Sequence, residues 1–162
     1  MKNILLVCTG NTCRSVMAEA LFDDAVDRSS ILEGKIKTDS AGTFACNGAD
    51  ATPHAIQVMD EMGFNIARHK AKMVDQELID WADLILTMEA THIEQIEAMF
   101  PEAEKKMHTI MGYANGIYGF PGEGYDVEDP YGEDLDEYRS CAQQLRQLIQ
   151  SIVARLEQGV ID

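Results

Sequence analysis

KNILLVCTGNTCRS, residues 2–15, decides the fold. Ile4, Leu5, Leu6 and Val7 form an apolar run without alternation, as a short strand does when both faces of a parallel sheet bury it. Cys8 to Ser15 are small or polar. Beyond them Val16, Met17, Ala20, Leu21 and Val26 recur at helical spacing, with Glu19, Asp23 and Asp24 between them. Strand, tight polar loop and amphipathic helix in that order open a doubly wound α/β sheet, whose ligands bind at the carboxyl ends of the strands. The loop after the first strand is therefore the place to look for a site.

The rest of the chain continues the alternation. Lys35 to Ser40 reads as a second strand, and 41–51 as a loop. Thr52 and Pro53 are an N-cap and first helical residue, with Gly63 as the C-terminal stop. Asp75 caps a short helix carrying Leu78 and Ile79, and Leu84, Ile85 and Leu86 make a third buried strand. Glu89 to Phe100 is helical and ends at Pro101, and Lys106 to Met111 is a short fourth strand. Gly112 to Glu133, rich in glycine, is a long loop of the kind that usually carries function. Tyr138, Ala142, Leu145, Leu148, Ile149, Ile152 and Leu156 mark a last helix against the core. The expectation is a single α/β domain over 1–162.

Composition narrows the function. Residues are 46% hydrophobic and 25% charged, ordinary for a globular chain, and the formal net charge of -15 disfavours nucleic acid and acidic membrane surfaces. The first apolar run is too short for a signal segment or a membrane span, which predicts a cytoplasmic protein. Four cysteines, at 8, 13, 46 and 141, are few for a disulfide framework, and their spacing gives no zinc ligand set. No metal and no cofactor are expected.

Cys8, Thr9, Gly10, Asn11, Thr12, Cys13, Arg14 and Ser15 lie between a strand and a helix N-terminus, where backbone N–H groups and the helix dipole favour an anion. Gly10 and Asn11 tolerate left-handed dihedrals, so consecutive N–H groups can turn inward as a nest. Without a Gly-Lys-Ser/Thr the loop does not read as a nucleotide-binding loop. It opens instead with a thiol, whose ionisation the helix N-terminus and Arg14 favour. Arg14 can hold two phosphate oxygens in its planar fork, and Ser15 can donate toward the sulfur. A leaving group then needs a proton, and Asp126, Glu128, Asp129 and Asp134 all lie on or beside the long loop. Asp129 stands out because Pro130 restricts its backbone, although the other three remain candidates.

With these residues in view, the sequence resembles the low-molecular-weight protein phosphatase family. The resemblance rests on Val7 to Ser15, on Asp39-Ser40-Ala41-Gly42-Thr43, on Ala82 to Met88 and on Asp129-Pro130-Tyr131-Gly132, in the family's order along nearly the whole chain. It implies a four-stranded parallel sheet with helices on both faces, Cys8 as nucleophile, Arg14 as transition-state clamp and Asp129 as general acid, then base. It also implies that Asn11, Ser15, Ser40 and His69 hold the loop in shape; from the residues alone His69 reads as a surface histidine. Cys13 matches the family's reversible disulfide partner of the nucleophile, or is a small packing residue; an exposed, acidic thiol suits the first role. Val16 departs from the usual proline, and Glu133 from a common second glycine.

The implied substrate is a phosphorylated protein and the product inorganic phosphate. Thr12, with Asn47 to His54, is similar to the phosphoarginine-directed members, while Tyr131 is typical of phosphotyrosine-directed ones. Phe44 is either an opposite wall for the substrate or a loop anchor. Arsenate reduction on the same scaffold would need a further cysteine pair, and Trp81 to Gln95 contains none. A module that only captures phosphate would lack a nucleophile or an acid, and both are present.

Overall fold

A computed structural model describes residues 2–159; Met1 and 160–162, the extreme ends of the expected domain, lie outside the described residues. Four parallel strands, β1 (Lys2–Cys8), β2 (Ile36–Gly42), β3 (Leu84–Thr87) and β4 (Met107–Thr109), pair in the order β2-β1-β3-β4. Successive side chains of β1 point to opposite faces. Ile4, Leu6 and Cys8 join one buried cluster with α1 (Arg14–Asp27), α2 (Pro53–Glu61), α5 (Ile110–Ala114) and α6 (Leu135–Glu157). Leu5 and Val7 join a second with α3 (Gln76–Trp81) and α4 (Ala90–Met99). Each fully buried Leu or Ile in these layers contributes roughly 1.5–3 kcal/mol, so an apolar run without alternation is what a two-sided core selects. The four-stranded parallel sheet with helices on both faces is as expected.

Local signals explain most boundaries. The Thr52 side chain accepts from the Ala55 N–H with Pro53 at the first helical position, and Asp75 accepts from the Leu78 N–H at 2.8 Å. Two expectations need correction. Glu89 caps α4 rather than lying in it, though the helix does stop before Pro101, which opens a 3₁₀ turn, Pro101–Lys106. The fourth strand stops at Thr109, because its hydroxyl accepts from the Gly112 N–H at 3.0 Å and starts α5, which takes Ile110 and Met111 out of the strand. No helix among the described residues is long and apolar enough to cross a membrane.

The order of strands positions the site. Chain growth runs from β1 to β2 on one side and to β3 on the other, so the carboxyl end of β1 is the switch point, and Cys8 is its last residue.

Candidate active site

The loop leaving Cys8 is shaped by its carbonyls. The Cys8 carbonyl accepts from the Thr43 N–H (3.0 Å), that of Thr9 from Phe44 (2.9 Å) and that of Thr12 from Thr52 (3.0 Å), while the Asn11 carbonyl accepts from His69 Nε2 (2.7 Å). In a planar trans peptide the N–H points opposite its carbonyl. Holding these four carbonyls against the surrounding segments therefore turns the N–H groups of Thr9, Gly10, Thr12 and Cys13 to the other side, as a nest. Asn11, with φ 56°, is the left-handed residue of the turn. Of the two residues that tolerate a left-handed turn, Gly10 does not adopt it; an added Cβ there would meet Thr12 Oγ1 at 3.5 Å, an ordinary contact. The strict requirement falls on Gly42, the partner of Cys8 across the sheet, where a Cβ would lie 2.3 Å from the Thr9 oxygen.

A buried set of polar side chains sits behind the turn. Asn11 Oδ1 accepts from the Lys72 N–H at 3.0 Å, so its Nδ2 donates to both Ser15 Oγ (2.8 Å) and Ser40 Oγ (3.0 Å). Ser40 then donates to Glu19 Oε1 at 2.6 Å, and Ser15 Oγ shares a hydrogen bond with Cys8 Sγ at 2.9 Å, beside the Asn11 N–H at 3.3 Å. Burial pushes the Glu19 carboxyl up from 4.5 to about 6 despite its bond from Ser40. Burial likewise lowers His69, whose Nε2 must donate because the Asn11 carbonyl can only accept.

Arg14, 1% exposed, begins α1. That helix has no side-chain cap and no acid in its first turn, leaving its N–H groups for an anion. Arg14 Nη1 donates to Glu89 Oε2 (2.5 Å) and to the Val127 carbonyl (2.8 Å), which leaves Nε and Nη2 for two further oxygens. Nη2 lies 3.5 Å from Asp129 Oδ2. Burial alone would weaken the Arg14 charge, but Glu89, Asp129 and Cys8 outweigh it and raise its pKa. Asp129 Oδ1 accepts from the Tyr131 N–H at 3.0 Å, and the side chain is 45% exposed.

Cys8, Arg14 and Asp129 line one cavity of about 290 Å³, walled by Thr12, Phe44, Cys46 and Tyr131. Phe44 and Tyr131 are the exposed rim. Cys8 lines the cavity but is 3% exposed: the strand end buries it and one side meets the cavity. Cys13 is also a buried free thiol, with Thr52 Oγ1 and the Tyr138 hydroxyl each 3.5 Å from its sulfur. Burial pushes the Cys141 thiol up to about 12 and leaves it inert. No cluster of metal-ligating side chains occurs among the described residues.

Cys8, Arg14 and Asp129 thus meet at one cavity, and Asn11, Ser15, Ser40 and His69 at its back. Sequence reading missed Glu89, Glu19 and Gly42. Glu89 ends the segment leaving β3, beside β1 at the switch point, and Glu19 lies four residues from Ser15 on the same helix face, so both had a signal.

Comparison with known proteins agrees. The family profile described as low molecular weight phosphotyrosine protein phosphatase matches residues 3–160. A protein-arginine-phosphatase of Geobacillus stearothermophilus is 38% identical over 154 residues, covering 95% of each chain. A low molecular weight protein tyrosine phosphatase from T. tengcongensis is 37% identical with a TM-score of 0.83, over 96% of this chain and 99% of that one. A variant of the YwlE arginine phosphatase with a phosphorylated active-site serine is 34% identical, with a TM-score of 0.87 over 96% of both. Sheet order, cavity and these likenesses lead to one conclusion: the chain belongs to the low molecular weight phosphotyrosine protein phosphatase family.

Proposed function

We propose that this phosphoprotein phosphatase removes phosphoryl groups from arginine side chains through a phosphocysteine at Cys8. The carrying observation is that Thr12 lines the same cavity as Cys8, Arg14 and Asp129. A small β-branched wall leaves room for a guanidinium beside the nucleophile, and its hydroxyl can meet a guanidinium nitrogen or the attacking water. The inward N–H groups and Arg14 hold the phosphoryl oxygens. Cys8 thiolate attacks phosphorus as the P–N bond breaks, and Asp129 gives its proton to the leaving nitrogen. Asp129 then takes a proton from water, the water oxygen attacks phosphorus, and the P–S bond breaks. Ser15 donates to the departing thiolate, and inorganic phosphate leaves.

A groove of about 1210 Å³ runs on from Thr12 and Tyr131 past Pro53 and Ile56 to Phe64, which suits a polypeptide carrying the phosphorylated residue. We read the substrate as a protein in the cytoplasm, and the net charge of -15 disfavours nucleic acid and acidic membrane surfaces as partners. Oxidation by a peroxide, which takes two electrons and leaves as water, would join the free thiols of Cys8 and Cys13 as a disulfide, and reduction by an external thiol would restore the site. Tyr131 and Phe44 at the rim favour a second reading, phosphotyrosine, because two aromatic walls fit a flat ring.

Rates on phosphoarginine and phosphotyrosine peptides decide between them. The expected outcome is a preference for phosphoarginine that falls about ten-fold or more in Thr12→Ile. Equal preference before and after removes the role given to Thr12.

A further inference from the structure

His92 and the Thr9 side chain have no part in the chemistry above, yet they join both ends of the cradle. His92 is the third residue of α4 and 1% exposed. Its Nδ1 accepts from the Glu89 N–H at 3.1 Å, completing a capping box with Glu89. Burial, and then the nearby charge of Arg14, push its pKa down to about 4, so the ring is neutral. A neutral imidazole that accepts at Nδ1 carries its proton on Nε2, which lies 2.8 Å from Thr9 Oγ1. His92 therefore donates to Thr9.

Thr9 is the first residue after the nucleophile. Its side chain is held by α4 and its carbonyl by the Phe44 N–H, so the peptide that aims the Gly10 N–H into the cradle is fixed from two directions. The carboxylate of Glu89, whose N–H the same imidazole accepts, takes Arg14 at 2.5 Å. One buried ring thus touches the support of the first cradle donor and the support of the clamp.

We propose that His92 is a positioning residue for the phosphatase reaction, setting the Thr9–Gly10 peptide and the Glu89–Arg14 pair in register through its two ring nitrogens. This rests on the phosphatase reading of the site. The test is a double-variant cycle of Thr9→Val and His92→Phe, measuring kcat and KM on an aryl phosphate, inhibition by inorganic phosphate, and the thermal midpoint. Each single variant is expected to lose about ten-fold in kcat and to bind phosphate more weakly, and the double variant to fall no further than the worse single one. His92→Gln, whose carboxamide again offers one acceptor and one donor, recovers to within about three-fold of wild type. Thr9→Val leaves the α4 cap intact, so it reads the contact even where His92→Phe lowers the midpoint. Losses that multiply to about 100-fold in the double variant, or Thr9→Val as active as wild type, overturn the inference. Wild-type protein without turnover overturns the reading of the site, and this inference with it.

Discussion

The cradle and the segment bearing the acid face each other across the cavity and are held in opposite ways. Between Cys8 and Thr12, four carbonyls are taken by donors from Thr43, Phe44, Thr52 and His69, all distant in sequence. The acid segment is pinned at Val127, fully buried, whose N–H donates to the Met88 carbonyl and whose carbonyl accepts from Arg14. From there to Asp134, the cap of α6, the segment's own N–H bonds are short-range, Tyr131 N–H to Asp129 and Glu133 N–H to the Pro130 carbonyl, and its longer ties are looser: Arg14 Nη2 at 3.5 Å from Asp129 Oδ2 and Cys141 Sγ at 4.0 Å from the Glu128 carbonyl. The groups that must meet developing charge are fixed in advance by other elements, where reorganisation would cost most. Asp129, the proposed proton carrier, sits on the less firmly tied segment, where it can move into hydrogen-bond reach of a leaving group.

The contrast can be broken first at the nucleophile. Cys8→Ser is expected to lose at least about 10³-fold in turnover and to retain one phosphoryl group on the serine, read by intact mass, because an alkoxide leaves far less readily than a thiolate. Turnover at the wild-type rate would remove Cys8 from the chemistry. On the opposite wall, Asp129→Ala is expected to lower kcat about 10²- to 10⁴-fold while KM moves little, with a smaller loss on aryl phosphates whose leaving group needs no proton. A loss confined to KM would make Asp129 a binding residue and the contrast false.

The smallest effect lies behind the cradle and reads stability. The Glu19 carboxyl is near 6 when folded against 4.5 ordinarily, so between these values the folded chain binds more protons than the unfolded one. Stability is therefore lost as pH rises from 4.5 through 6, by at most about 2 kcal/mol. Glu19→Gln keeps an acceptor for Ser40 without the charge. Denaturant unfolding at pH 4.5 and 7 should show wild type losing more stability than the variant, and equal losses would mean that Glu19 is as well solvated folded as unfolded.

What could be read in advance follows from the range of the forces involved. The run Ile4 to Val7, the caps Thr52 and Asp75, and the acid before Pro130 are local patterns, and each lies where the pattern puts it. Ile110 and Met111 misled because two apolar residues after a strand fit either a strand or a helix, and one threonine hydroxyl decided for the helix. Gly10 and Asn11 could both take a left-handed turn, and only the assembled loop decided that Asn11 does. Glu89, His92 and Gly42 act across the sheet or between helix and loop, through distances that only the assembled fold sets.

The pairing of Cys8 with Gly42 has a consequence for motion. Gly42 also donates to the Lys72 carbonyl and accepts from the Val74 N–H, so β2, an edge strand, is clasped on its outer side at the very residue that abuts the cradle. Fraying from the Ile36 end can proceed without reaching the nucleophile, whereas opening the cradle requires releasing that clasp and the end of the ladder together. The amides of Gly42, Thr43 and Phe44 should consequently exchange with solvent deuterium only on the timescale of sub-global opening, and the cavity inherits its persistence from the sheet.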